Sequence, residues 1–270
     1  MIFQKKVLYV LLDIAIILLM GILLFYGSSR QFSDKYVDAA IYQCYAVAFW
    51  QGASGLHALS PGQCAFLNNK DLLNIVIQSL TNHHIPHRIV QLAIRQEAGV
   101  RFHTLPREYP VLTLIPFSLA LLAPMQFYQQ AFAILTIIFA AMLYFLFKRF
   151  ASTRSALIFV AYLVIAGWST AASRFDIFPA GLTLGALIMA DQKKWNWAFT
   201  FLALGALFKF YPAILVVPLF IAQQQSEDGS WFAWHRWRGL ATFLITCAAI
   251  VLVSMALSIP GTLGALQYFT

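Results

Sequence analysis

Charge is scarce in this chain. Asp, Glu, Lys and Arg make up only 10% of its 270 residues, where soluble domains carry about 25%. That shortage excludes an ordinary water-soluble domain, and the 61% hydrophobic content and mean hydropathy of +0.74 point to a lipid bilayer instead. Strict alternation of apolar and polar residues is also missing, which argues against an outer-membrane barrel. The apolar runs are therefore expected to be helices, because backbone groups in lipid must be satisfied within each segment. Cysteine is rare as well: Cys44, Cys64 and Cys247 form no C-x-x-C pair and no zinc spacing. Cys44 and Cys64 could pair if both face an oxidising compartment. The formal charge of +8 does not imply nucleic acid as a partner, since half of the Lys and Arg residues lie in short loops between the later apolar runs or at their ends, where basic clusters set orientation.

What is present is a series of long apolar stretches. Lys5 and Lys6 precede a run over residues 7–26, too long for a signal-peptide core and so read as a retained first span. Residues 27–127 are mixed in character and are expected to form an extracytoplasmic loop containing surface and re-entrant helices. Within it, SDKYVDAAIYQCYAVAFWQG has helical spacing, with Ser33 as cap and Val37, Ile41, Tyr45 and Ala48 along one face, as in a helix lying on a membrane surface. GASGLHALSPGQCAFLNN reads as loop, and LLNIVIQSLTNHH and HRIVQLAIRQEAG as short amphipathic helices. YPVLTLIPFSLALLAP is too short to span and is interrupted by Pro116, which suggests a re-entrant or surface helix. Six further spans are expected within residues 128–258, at 128–147, 155–172, 177–190, 196–209, 212–224 and 239–258, with an outer loop beginning over 259–270.

With seven spans and a cytosolic N-terminus, every basic cluster falls in the cytosol: Lys148, Arg149 and Arg154, then Lys193 and Lys194, then His235, Arg236 and Arg238. Counting 110–125 as a span would turn each later cluster outward. The expected fold is thus an all-α, polytopic transmembrane bundle forming a single module over 1–270. This topology brings Asp34, Asp38, Tyr42, Glu108, Tyr109, Arg174, Asp176, Lys209 and Tyr211 to the outer face.

The order of these residues is an acid and a tyrosine soon after the first span, then Tyr-Pro, then Arg-x-Asp, then Lys-x-Tyr-Pro. It resembles the GT-C class of polytopic glycosyltransferases, and among them glycosyltransferase family 87, the polyprenol-phosphomannose-dependent mannosyltransferases and related arabinofuranosyltransferases. DAAIYQCYAVAFWQG, from Asp38 to Gly52, resembles that family's D-x-x-x-Y…A…G signature. EYPVL resembles its YPPL motif, with Val111 at the second proline, and SRFDIFPAG and LFKFYPAILVVP resemble the later motif pair. The resemblance implies transfer of a hexose, such as mannose, or a pentose from a polyprenyl-phosphate-sugar donor. The acceptor would be a glycan or glycolipid outside a bacterial cell membrane. The lipid-linked sugar would be a substrate, with no separate cofactor, and membrane lipids would surround the chain. Family members run longer, so the chain is expected to be an incomplete version of a larger protein.

Sugar transfer needs a base for the acceptor hydroxyl, and Asp38 is the first candidate; otherwise it is a solvated charge on a surface helix. Asp34, one turn earlier, is the second candidate base or a second carboxylate of a metal site, but DKYVD lacks D-x-D spacing and no metal is predicted. Lys209, flanked by Phe208 and Phe210, suits a lipid phosphate, or else snorkels to the interface. Arg174 could hold the same phosphate, or pair with Asp176 two residues on. Tyr42, Glu108, Tyr109, Asp176 and Tyr211 complete the expected substrate-binding set, Tyr211 being equally explained as interfacial belt. HHIPH, with His83, His84 and His87, lacks helical ligand spacing. The competing functions are a transporter or lipid flippase, and a non-catalytic membrane subunit; the first is disfavoured by the absence of a clear internal repeat.

Overall fold

The structure, a computed structural model, describes residues 2–32, 34–68, 70–96 and 99–267. All regular elements among these residues are helical. The order is α1 (Ile2–Ser29), α2 (Asp38–Gln51), α3 (Lys70–Asn82), α4 (His87–Arg95), α5 (Leu114–Leu119), α6 (Tyr128–Phe150) and α7 (Thr153–Ala166), then α8 (Ile177–Asp191), α9 (Trp195–Ala206), α10 (Val216–Ser226), α11 (Trp234–Leu257) and α12 (Ile259–Gln267).

Among the described residues, three helical stretches are long and apolar enough to cross a membrane: Val7–Ser29, Met125–Phe150 and Trp234–Leu257. Apolar side chains such as Leu8, Leu18, Ile245 and Val253 stand exposed on α1 and α11, as lipid-facing residues do. Four helices between them, α7 to α10, have only 11 to 15 residues. At 1.5 Å per residue they reach roughly 16–22 Å, short of the roughly 30 Å of a hydrocarbon core. The expected spans at 155–172, 196–209 and 212–224 therefore contain less helix than their apolar length suggested. Gly167 ends α7. Pro212, in the first turn of a short 3₁₀ segment at Tyr211–Leu215, keeps α9 and α10 from joining into one rod.

Two ends of the bundle can be told apart by their contacts. At one end, Gln129 Nε2 donates to the Asp34 carbonyl (3.1 Å) and Tyr128 Oη to the Phe117 carbonyl (3.0 Å), which joins the start of α6 to the 34–127 segment. Gln96 Nε2 donates to the Ala256 carbonyl (2.9 Å) while its Oε1 accepts from Ile259 N (2.9 Å), so the same segment grips the break between α11 and α12. At the opposite end, Asp13 of α1 accepts from Tyr144 Oη (2.7 Å) and from Lys148 Nζ (2.6 Å) of α6, and Glu227 pairs with Arg238 (3.2 Å). Thus α6 runs away from the first end and α11 returns to it.

The 34–127 segment departs from expectation in α2. It begins at Asp38, not near Asp34, with Val37 at the N-cap position; Ser33 lies outside the described residues. Nor does α2 lie on the surface: Ala39, Ala40, Tyr42 to Ala48 are all buried. Its alanines let neighbouring elements approach from every side, so no single wet face remains. The chain from Val111 to Leu122 is a short apolar helical run, as anticipated, and Pro116 falls in the first turn of α5, where a missing N–H costs nothing. Helices α3 and α4 fall on the two stretches read as amphipathic. Gly52 ends α2 at φ 73°, and a side chain there would strike the Gly99 carbonyl at 2.7 Å. Phe102 N then donates to the Phe49 carbonyl (2.7 Å), closing the 99–102 turn onto the helix end.

Cys44 and Cys64 are joined in a disulfide. It ties the loop after the 3₁₀ turn Ala53–Ala58 back to the middle of α2. The pairing that the sequence left conditional is therefore made.

Candidate functional site

The site is built where three turns meet the start of α2. Gly27, near the end of α1, leaves room for the Trp168 carbonyl, which an added side-chain carbon would meet at 2.0 Å. Gln31 Nε2 donates to the Ser169 carbonyl (2.9 Å), and Arg30 lies over the Trp168 ring at 5.5 Å. These contacts fix the turn after α7, and that turn delivers Arg174, Phe175 and Asp176. Asp176 holds the N-cap position of α8, yet its side chain makes no cap hydrogen bond. Its carboxylate instead pairs with the Lys209 ammonium. Lys209 comes from the corner that Pro212 enforces, and its backbone N–H stays bonded to the Gly205 carbonyl (3.0 Å).

Arg174 does not pair with Asp176. Its Nε lies 2.7 Å from Asp38 Oδ2, at the first residue of α2. Residues two apart do not face each other in a helical turn, so each of the two finds a partner on another element. The result is two ion pairs side by side, Asp38–Arg174 and Asp176–Lys209. Both are half-open: side-chain exposure is 32% and 55% in the first pair and 42% and 42% in the second.

Beneath them is an aromatic floor. Tyr42, one turn after Asp38, stacks on Phe117 with centroids 4.2 Å apart, and meets Tyr109 (5.7 Å) and Phe175 (5.6 Å) edge to face. The Lys209 ammonium lies 5.6 Å from the Phe175 ring centre, a cation–π arrangement. Burial, and then the neighbouring Tyr109, Asp38 and Asp176, push the Tyr42 phenol far above its usual range, with Arg174 opposing them. The Tyr109 phenol is raised too, by burial and by Asp38 and Glu108. Both rings are therefore neutral hydrogen-bonding groups at physiological pH. Tyr42 is only 2% exposed, which makes it part of the floor rather than of the open rim. Tyr211 is 46% exposed, and partial burial, helped by the nearby Asp176 charge, raises its phenol.

Two of the expected site residues stand apart. Asp34 is in the turn before α2, where its Oδ1 accepts from Tyr36 N (2.9 Å), and no ion pair links it to the cluster among the described residues. It is off the helix because α2 starts four residues later, so it is not one turn below Asp38. Glu108 lies on the Tyr45 and Tyr109 side of the floor, and makes no ion pair among the described residues. Among the described residues, no three His, Cys, Asp or Glu side chains gather as a metal site would require, and His83 contacts the carbonyl of Ser79 (2.8 Å).

An apolar groove of about 780 Å³ opens beside the floor, between the end of α2, the α5 region and α11; Trp50, Leu114, Ser118, Ile250, Val253 and Leu257 line it. A narrower cleft shares Val111 and Ile250 with it and continues to Leu207 and Phe210, on either side of Lys209. Hydrocarbon-lined space thus leads from the exposed face of α11 to the corner that carries Lys209, although none of the four charged side chains lines either cleft.

Sequence reasoning missed Phe175, although it stands between the two residues of the Arg-x-Asp motif. It also missed Asp13, the one acid within the first apolar run, and gave its partner Lys148 only a role in orientation. A carboxylate in a span needs a partner, and that rule alone would have flagged it. No family model, no curated protein and no solved structure matches this chain.

Proposed function

We propose that the chain is a multi-pass membrane glycosyltransferase module of the GT-C type, moving a sugar from a polyprenyl phosphate to an acceptor outside the cytosol. The observation that carries this reading is the pairing of two carboxylates with two cations side by side above an aromatic floor, with apolar clefts reaching the corner next to Lys209. A lipid-linked sugar has the complementary layout: a hydrocarbon chain, then a phosphodiester, then a polyol.

In the reaction, the acceptor oxygen forms a bond to the anomeric carbon as the bond from that carbon to the phosphate oxygen breaks. The electron pair stays on the phosphate, which leaves as a monoester with one more negative charge, and the acceptor proton passes to Asp38. Arg174 and Lys209 stand where that extra charge would be offset, the kind of fixed electrostatic help that favours a transition state. Without donor, Asp38 and Asp176 occupy the two cations in place of phosphate oxygens. Half-exposed ion pairs contribute only about 0–1 kcal/mol each, so a donor phosphate can take over both cations at small cost. That exchange would also release Asp38 to act as base.

The reading places seven crossings in the membrane with the N-terminus in the cytosol. The basic clusters at Lys148, Lys193 and Arg236 support it, since helix directions put them all at the end opposite Asp38. So does the disulfide at the Asp38 end, because such bonds persist in oxidising compartments. The test is photo-crosslinking in membranes with a polyprenyl phosphate carrying a benzophenone, alongside transfer of label from hexose and pentose donors. Crosslinking is expected to be competed by unlabelled donor and reduced in Lys209→Ala. Equal crosslinking in Lys209→Ala and the parent, with no transfer by either, would sink the proposal.

A further inference from the structure

The segment that carries the ion pairs also holds a second cavity, on another side of α2. Gln43 follows Tyr42 and so points about 100° further round the helix, away from the aromatic floor. It opens into a cavity of about 440 Å³ lined by Gln43, Gln63, Gln126, Gln129, Gln130 and Ser60, with Lys35 at its edge. This size falls within the range of small-molecule sites, roughly 300–1,000 Å³.

Its walls are fixed before any ligand arrives. Gln63 Nε2 donates to the Ala40 carbonyl and to Gln43 Oε1, both at 3.1 Å. Gln43 Nε2 donates to the Met125 carbonyl (2.8 Å), which ties α2 to the start of α6. The Cys44–Cys64 bond clamps the wall bearing Ser60 and Gln63 onto the helix bearing Gln43. Set against these satisfied amides is one that is not: Gln130 Oε1 is buried and has no hydrogen-bond partner. A buried acceptor left without a donor costs about 1–3 kcal/mol; because this oxygen is closed off as it stands, the Gln130 amide has to turn into the cavity it lines to take a donor from a ligand hydroxyl.

The lining also says what kind of ligand fits. None of the described residues lining the cavity is acidic or aromatic. Five carboxamides offer donors and acceptors without charge, which matches hydroxyl groups, since each of these both gives and accepts. An anion would have Lys35 alone, whose ammonium already lies 3.4 Å from the Pro61 carbonyl and 5.2 Å from the Tyr36 ring centre. Ala58, Leu59 and Met125 supply small apolar patches for C–H faces. We propose that this cavity binds a neutral polyhydroxylated ligand of mono- to disaccharide size. The proposal goes beyond the transferase reading and does not depend on it.

The test uses the purified chain in nanodiscs free of maltoside detergent. Saturation-transfer NMR and calorimetry are run with glucose, mannose, arabinose, trehalose and mannobiose, and with inorganic phosphate as the charged probe. At least one saccharide is expected to bind saturably at millimolar concentration. Ala58→Trp, which fills the cavity from an exposed rim position, should abolish that binding, and Gln130→Leu should weaken it five- to tenfold. Asp38→Asn should leave it unchanged, which separates this site from the charged one. Saturation by no saccharide overturns the proposal, and so does binding of phosphate alone or binding that survives Ala58→Trp. Because Ala58 is exposed, its substitution stays informative even if Gln130→Leu fails to fold.

Discussion

Replacing Asp38 by Asn separates chemistry from architecture at the charged site. The amide keeps the shape of the side chain, and its oxygen can still accept from Arg174 Nε, now 2.7 Å from the carboxylate. What is lost is negative charge and the capacity to take a proton. The structural cost is small because the pair is half-open, with Arg174 55% exposed; about 0–1 kcal/mol is at stake. In a chain of this length that lowers Tm by only a few degrees at most, roughly 2–4 °C per kcal/mol. Loss of a general base costs far more, about 10²–10⁴-fold in rate, or roughly 3–5 kcal/mol of transition-state stabilisation. The prediction is a transfer rate lowered by at least a hundredfold, with donor crosslinking kept and Tm nearly unchanged. Initial rates with a radiolabelled donor, crosslinking yield and thermal unfolding in the same membranes check it. Transfer at the parental rate would refute the assignment of the base. A Tm drop as large as the rate loss would show instead that the carboxylate only holds the turn after α7.

The remaining predictions concern other parts of the fold. Without reductant, denatured chain should take up alkylating reagent at Cys247 alone, and at all three cysteines after reduction; Cys44→Ser should cost about 2–4 kcal/mol, read as a lower Tm. Asp13→Ala, which leaves the Lys148 ammonium without its carboxylate, should destabilise by about 1–3 kcal/mol, and the Asp13→Ala/Lys148→Met double variant should recover most of it; equal loss in both would show that the pair is not what matters. Burial holds the Tyr45 phenol up to about 12, against 10 in an unfolded chain. Above pH 10 the unfolded chain alone gives up this proton, so stability should be complete below 10 and fall as pH rises towards 12. Tyr45→Phe should flatten that alkaline decline, and an unchanged slope in a pH series of unfolding curves would refute it.

The charges and their order were legible in the sequence, because ionisable residues in an apolar chain are few and their positions at span ends follow from counting. The pairing was not. Arg174 and Asp176 invite a local match, and only the three-dimensional course of α2 shows that Asp38 intervenes. Asp34 was misplaced for a related reason: spacing suggested a helix from residue 34, while the chain stays in a turn, with Asp34 accepting from Tyr36, and enters α2 only at Asp38. The long helices could be read from apolar length alone. The short ones could not, because Gly167 and Pro212 end regular structure inside stretches that remain apolar. The glutamine cavity left no periodic signal at all, since its walls come from four separate stretches of chain.

The contacts that join the 34–127 segment to the later helices impose an order of events on synthesis. Gln96 must wait for Ile259, 163 residues further on, before its carboxamide is satisfied. At about 5–20 residues per second, that is a wait of roughly 10–30 s. Cys44 and Cys64 are only 20 residues apart, so their loop can close almost as soon as both have been made and meet an oxidant. The first covalent decision in this molecule is therefore made while most of its helices do not yet exist. The clamped α2 then serves as a template on which the later turns dock one after another, and any delay in oxidation would leave them with no fixed surface to meet.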